Sequence, residues 1–389
     1  MAETVGFEPT KELPLYTLSR RAPSTTRPRL RMPYWARLAR IDATCLFRKA
    51  VGGGTYPFMR NIAAITALTV FGSALTLGSP GLAQDTPAEA AHSPNAIVEA
   101  APPKAWVTIP SEDLLVMTLA PDSDGDAREV VLQLMPAPFS QGWVSNIRTL
   151  ARARWYDGIS VNRVQDNYVV QWGDPNYDNP EAGGETKPLP AGLKVMEEIY
   201  SFRRALERPK ALDGLFRPPN NVSRWTSFHK GFPVAGSGTP DSVSHWPVHC
   251  YGMVGVGRNY SPDTGSGAEL YTVIGHAPRH LDRNIALVGR IISGMEHLSS
   301  LPRGSGALGF YTADEADKRT PILSIRVASD LPENEQPAYE YLSTESETFA
   351  SYAEARANRR DPFFIVPAGG ADICNIPVPV RAVKTADGE

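Results

Sequence analysis

The chain has 389 residues, 42% of them hydrophobic, 21% charged and 9% aromatic, with three cysteines. This is enough length and apolar content for a sizeable core, and it excludes a wholly disordered chain and a disulfide-dense miniature scaffold. The net charge of −3 averages unlike parts: residues 1–58 carry ten Lys/Arg against four Asp/Glu, and the other 331 carry 29 against 38, so the body is acidic and no nucleic-acid partner is expected.

Residues 1–58 show no apolar period, as in Arg20-Arg21-Ala22-Pro23, and read as a non-native upstream leader. Met59-Arg60 then opens a basic start, an apolar stretch over 62–77 and the small-residue close Gly81-Leu82-Ala83. That is the pattern of a cleaved secretory signal over 59–83. The apolar stretch holds three threonines and is short for a membrane span. A periplasmic mature chain, off the membrane, is therefore expected. Residues 84–105, rich in Ala, Pro, Glu and Ser, read as a flexible linker, and folding is expected to begin near Ala105-Trp106.

Residues 113–119 and 128–134 read as strands around the turn Pro121-Asp122-Ser123-Asp124-Gly125-Asp126. The alternating aspartates suggest a calcium loop, but glycine stands fourth rather than sixth and Gln133 replaces the twelfth-place glutamate, so a solvated turn is expected. Trp143, Ile147 and Leu150 fall on one helical stripe, which Tyr156-Asp157-Gly158 ends. Short strands follow at 159–164 and 168–171. The Pro/Gly-rich region 174–244 lacks strand rhythm, and 193–206 within it reads as a helix. Strands are expected at 270–274 and 285–292, with a short helix carrying Met295, Leu298 and Leu301. After residue 301, a strand over 320–327, a helix over 346–359 and a buried strand over 363–367 are expected. Short strands, many turns and only a few helices indicate a mainly β barrel or sandwich.

Most catalytic signatures are absent: there is no Gly-x-Ser-x-Gly, His-Glu-x-x-His or phosphate-binding Gly-x-x-x-x-Gly-Lys. His276 and His280 are four apart, but Pro278 between them prevents a shared helical face, so no metal is expected. His229, His245, His249 and His297 read as surface or satisfied polar residues. One constellation remains. Trp155-Tyr156-Asp157-Gly158 leads through Val161-Asn162-Arg163-Val164 into Tyr168-Val169-Val170-Gln171-Trp172-Gly173-Asp174-Pro175.

This block resembles the cyclophilin pattern Y-Y-D-G, F-H-R-V, F-M-x-Q-G-G-D-P, with Arg163 five residues before Tyr168, eight before Gln171 and eleven before Asp174. A second block, Ala277-Pro278-Arg279-His280-Leu281-Asp282, then Val288-Gly289-Arg290-Ile291 and Gly294-Met295, is similar to the family's A-P-x-L-D, V-F-G-R-V and E-G-M. The resemblance implies a closed antiparallel barrel of about eight strands capped by two helices. It places a cyclophilin-like domain over 106–301, with the insert at 174–244 and a C-terminal extension over 302–389. It also implies peptidyl-prolyl isomerisation of proline-containing polypeptides, without a cofactor and as a monomer. Arg163 matches the catalytic arginine and Gln171 the glutamine that orients it. Tyr168 and Val169 match the aromatic and methionine of the proline pocket. Gly257 and Arg258 fall where the backbone grips the preceding residue. Glu269 and Tyr271 stand for the Gln and second Phe of S-Q-F-F-I, His280 for the pocket Trp or Phe, Leu281 for the pocket leucine, and Ile285 takes the last pocket position.

Three departures, Val161-Asn162 before Arg163, Glu269-Leu270-Tyr271 for Q-F-F, and Trp172 for a glycine, motivate a rival reading as a weakly catalytic binding module or chaperone for proline-containing segments. A structural role for the insert and the extension is the other rival. Finally, Cys45 lies in the leader, so the exported chain keeps Cys250 and Cys374, an even pair expected to form a bridge in an oxidising compartment.

Overall fold

A computed structural model of the chain describes residues 92–383, apart from 178–181, 205, 207–208, 217–222 and 240–241. The leader expected at 1–58 and the signal expected at 59–83 lie outside the described residues. The expected linker lies partly inside them, and there it is folded. Helix α1, Pro94–Glu99, is capped by Ser93 Oγ accepting the Ala96 amide at 3.2 Å, and Ile97 and Val98 pack on the main core. Composition pointed to a tether, but a cap, a helix-starting proline and two aliphatics suffice once a partner surface exists.

Strand β1, Trp106–Thr108, follows; then β2, Leu114–Leu119, and β3, Arg128–Leu134, form the expected hairpin. Asp122 Oδ1 accepts the amides of Asp124 and Asp126, which accounts for the aspartate turn without a metal. Helix α2, Gln141–Arg152, buries Trp143, Val144, Ile147 and Leu150. Next come β4, Ser160–Val164, and β5, Val169–Gly173, whose residues are all buried.

The insert departs from expectation twice. The described residues of 193–206 are not helical. The Asn146 side chain takes the Lys194 amide at 2.8 Å and gives to its carbonyl at 2.9 Å, Tyr200 stacks on Trp143, and Phe202 exchanges backbone bonds with His245. These partners satisfy the backbone in an extended form, and tertiary context overrides helical pattern. The region without strand rhythm also holds a three-stranded sheet: β6, Trp225–His229; β7, Phe232–Thr239; and β8, Ser242–Pro247. Gly236, Gly238 and Pro233 disguise β7, and the Trp225 ring lies over Gly236, where a Cβ would meet it at 1.9 Å.

The barrel continues with β9, Met253–Val256; β10, Leu270–Val273; and β11, Leu287–Ser293, with α3, Glu296–Ser299, after it. Its last strand is β12, Ile322–Val327. The strand order is β12-β2-β3-β11-β9-β10-β5-β4, and the ends meet. The amides of Gly158 and Val161 donate to Ile322 and Thr320, and the Ile322 amide donates to Ile159. The molecule is thus a nearly closed eight-stranded antiparallel barrel. The boundary expected at 301 therefore moves, because β12 is a barrel strand and not part of an extension: ring closure removes the exposed edges that β2 and β4 would otherwise present.

Beyond the barrel, β13, Tyr339–Leu342, joins β1 on one side and β14, Val380–Ala382, on the other, while α4, Glu347–Ala357, lies against α1. The strand expected over 363–367 is absent. Phe363, Ile365 and Val366 are 84%, 95% and 78% exposed in a loop. Pro362 and Pro367 bracket only four residues and remove ladder donors, and both flanks of β13 are already occupied by β1 and β14. Among the described residues no helix is long and apolar enough to cross a membrane.

Candidate active site

Cross-strand register builds the site. On β4 the pairing with β5 shifts between Val161 and Arg163, a bulge at Asn162 that sets Arg163 opposite Gln171. Asn162 is buried and satisfied: it accepts from Ser160 Oγ at 2.7 Å and donates to the Gly173 carbonyl at 3.1 Å. Gln171 in turn faces Tyr271 on β10, and Tyr271 faces Gly255 on β9. One transverse row therefore runs Arg163, Gln171, Tyr271, Gly255. Period-2 alternation adds Val169 and Val273, paired with each other, on the same face, while Val170, Trp172 and Leu270 turn into the main core. Trp172, where the family pattern has glycine, is core filling.

Arg163 is wholly buried. Its Nε donates to the Leu308 carbonyl at 2.7 Å, one terminal nitrogen reaches Gln171 Oε1 at 3.3 Å, and the other bonds Gln165 Oε1. The guanidinium carbon lies 5.7 Å from the Tyr168 ring centre and 5.4 Å from that of Phe310. Aromatic faces and three acceptors thus replace the water of a cation that has no exposed surface.

Beside it, Tyr168, Val169, Tyr271, Leu281 and Ile285 form, with Val273, an apolar cluster separate from the barrel core. These five residues, which the sequence comparison assigned to one pocket, come together. His280 is exposed and stacks on Tyr168 at 6.1 Å, with Nε2 3.4 Å from the Tyr168 hydroxyl. Gly257 gives its amide to the Glu269 carbonyl at 2.9 Å, and a Cβ there would lie 2.9 Å from Glu269 Cβ and 3.5 Å from Gln171 Nε2. Glu269 is buried with its carboxylate over Gly173, which has no room for a side chain. Arg258 is half-buried at the rim and braces the Asn284 carbonyl at 2.9 Å, next to Ile285.

Sequence reasoning missed Leu308, Phe310 and Gln165 around the guanidinium. Gln165 lies two residues from Arg163 and could have been found by strand alternation; Leu308 and Phe310 arrive from beyond the barrel boundary drawn at 301. It also missed the role of His249, which is buried between Tyr271 and Asp282. Burial lowers the His249 pKa despite its hydrogen bond to Asp282, so the ring is neutral at neutral pH. Burial pushes the Tyr271 hydroxyl well above its ordinary value. Cys250 and Cys374 are joined by a disulfide across 124 residues. A cavity of about 540 Å³ beneath that bridge, lined by Phe228, Met253, Met295 and Ile376 among others, includes none of the Arg163 row. Among the described residues no three His, Cys, Asp or Glu side chains gather as a metal site.

The model of the family described as cyclophilin type peptidyl-prolyl cis-trans isomerase/CLD matches residues 129–327. Among solved structures, the chain is similar to the cyclophilin AquaCyp293 from Hirschia baltica, at 19% identity and a TM-score of 0.53, over 76% of this chain and 99% of that one. That likeness concerns the fold. A Cryptosporidium parvum cyclophilin-type peptidyl-prolyl cis-trans isomerase, solved in the presence of the dipeptide Ala-Pro, aligns at 12% identity and a TM-score of 0.31, over 55% of this chain and 96% of that one. No curated protein matches the sequence.

Proposed function

The chain belongs to the cyclophilin-type peptidyl-prolyl cis-trans isomerases, and we propose that it turns X–Pro bonds of exported polypeptides at the row Arg163–Gln171–Tyr271. The uncatalysed rotation faces ~18–20 kcal/mol because the amide C–N bond is partly double. No bond is made or broken, so the protein needs only to hold the ring, exclude water and favour the twisted amide. The apolar cluster of Tyr168, Val169, Tyr271, Leu281 and Ile285 supports the first two tasks. A proline ring enters where Tyr168 and His280 part. Twisting frees the lone pair of the prolyl nitrogen, and an Arg163 N–H then donates to it. The guanidinium is already oriented by Gln171 and Leu308, so little reorganisation accompanies the step. Gly257 and Arg258 hold the residue before proline, and Glu269 keeps Gly257 and Gly173 in place. The observation that carries this reading is the bulge-set pairing of Arg163 with Gln171 beside a separate apolar cluster.

The complete burial of Arg163 favours a second reading, a binding module that holds proline-containing segments with little turnover. A protease-coupled assay on an Ala-Pro peptide separates the two. The isomerase reading expects a rate that rises in proportion to protein concentration above the uncatalysed background. Peptide binding without acceleration would support the binding module and end the isomerase reading.

Export rests on the signal pattern at 59–83. Expressed from Met59 in a Gram-negative cell, the protein should be recovered from the periplasm with Gln84 at its N-terminus. Sequencing that still finds Met59 on membrane-bound material would contradict cleavage.

A further inference from the structure

Tyr271 stands where the family pattern has phenylalanine, so its hydroxyl is a polar atom that this pocket has to place. It does so away from the pocket. The ring runs over Gly255, where a Cβ would come within 2.2 Å of the hydroxyl, and the hydroxyl ends 2.9 Å from His249 Nε2. The two rings lie parallel within 6°. On the other side, His249 Nδ1 is 2.8 Å from Asp282 Oδ1, which also accepts the His249 backbone amide at 3.0 Å. Asp282 Oδ2 takes Arg279 Nε at 2.8 Å. Tyr271 and His249 are wholly buried and Asp282 is 5% exposed.

The direction of this chain follows from donor chemistry. An ionised carboxylate only accepts, so Nδ1 carries the imidazole proton and Nε2 is left as an acceptor. Tyr271 O–H therefore donates to Nε2. His249 is itself held from behind. The next residue is Cys250, bridged to Cys374, and Cys374 Sγ lies 3.9 Å from the His249 carbonyl. Arg279, which binds Asp282, reaches Asp372 at 4.0 Å, so the C-terminal tail contacts His249 directly and the Asp282 side through Arg279.

We propose that His249 is a positioning residue for the substrate proline: it holds the Tyr271 ring as the pocket floor, with Asp282 fixing the tautomer that accepts the hydroxyl. This rests on the isomerase reading above. A floor that can shift weakens ring binding in the ground and transition states alike, so the signature is a change in KM more than in kcat. A role confined to stability would not produce that split.

The experiment compares steady-state isomerisation by the whole mature chain and four variants, each checked for folding by its thermal transition. His249→Asn keeps an amide near the Nδ1 position for Asp282 but ends short of Tyr271; it should raise KM about tenfold and leave kcat within about threefold. His249→Gln, whose amide oxygen reaches toward the former Nε2 position, should recover most of that loss. Tyr271→Phe removes the partner, and His249→Asn added to it should raise KM less than about twofold further, because the two act as one unit. The ¹⁵N spectrum of wild-type His249 should show a protonated Nδ1 and an unprotonated Nε2, with Tyr271→Phe moving only the Nε2 signal. That spectrum decides the matter if His249→Asn does not fold. Equal KM effects of His249→Asn in both backgrounds, or a protonated Nε2, would overturn the proposal while wild-type activity left the isomerase reading standing. A wild-type chain without isomerase activity would overturn both.

Discussion

Arg163→Ala should lower kcat/KM for an X–Pro peptide by roughly 10²–10³, the usual loss when one preorganised donor is removed from a water-excluded site. Peptide affinity should move only a few-fold, since Tyr168, Val169, Tyr271, Leu281 and Ile285 hold the ring and remain. The side chain is wholly buried, so its loss also leaves Gln171 and the Leu308 carbonyl without their partner, and some stability should go with it. Arg163→Lys separates the two effects. It keeps a cation among the Tyr168 and Phe310 rings but replaces a planar fork, oriented by three acceptors, with a single rotating ammonium. Folding should survive while most of the rate is lost. A lysine variant with near wild-type kcat/KM would show that charge near the pocket suffices and that the oriented N–H is unnecessary.

Breaking the Cys250–Cys374 bridge should be the costliest single change to stability. It closes a loop of 124 residues that contains the second half of the barrel, α4 and the start of the tail. The chain-entropy estimate for such a loop is about 5 kcal/mol, less any relief of native strain. The bridge fastens the tail to Cys250, next to His249, so its loss should act first on the segment from 358 to 383, where the described chain has little regular structure before β14. Denaturant unfolding of wild type and Cys374→Ser under non-reducing conditions measures this. Equal midpoints, or free alkylation of both thiols in the native protein, would contradict it.

The pairing of Arg163 with Gln171 was legible in the sequence because its geometry is local. Arg163 and Gln171 lie eight residues apart on two adjacent strands joined by a short turn, and the bulge at Asn162 is fixed within the same segment. The apolar cluster was legible residue by residue through Tyr168, Tyr271, Leu281 and Ile285, which lie beside β5, on β10 or in the loop that follows β10. What could not be read is contributed over long separations. Leu308 and Phe310 reach Arg163 from 145 residues or more along the chain, and no periodicity in that glycine-rich loop marks them. From the sequence His249 reads as a surface or satisfied polar residue; it is wholly buried, and its partners are 22 and 33 residues away, so only the folded register reveals them. The small sheet in the insert was hidden by the glycines that Trp225 covers, and β12 was recognised as a strand without being assigned to the barrel it closes. Helix α1 and the 193–206 segment err in opposite senses for one reason. Each takes its form from a partner surface, α4 for the first and the Asn146 side chain for the second.

The most direct test is exchange NMR on a short peptide containing one X–Pro bond, with the protein present at a few hundredths of the peptide concentration. Cis–trans exchange cross-peaks, absent for peptide alone on the same timescale, should appear with the wild-type protein and vanish with Arg163→Ala even though both proteins shift the peptide resonances on binding. Cross-peaks of equal strength with wild type and Arg163→Ala would contradict the assignment of Arg163 as the donor to the prolyl nitrogen.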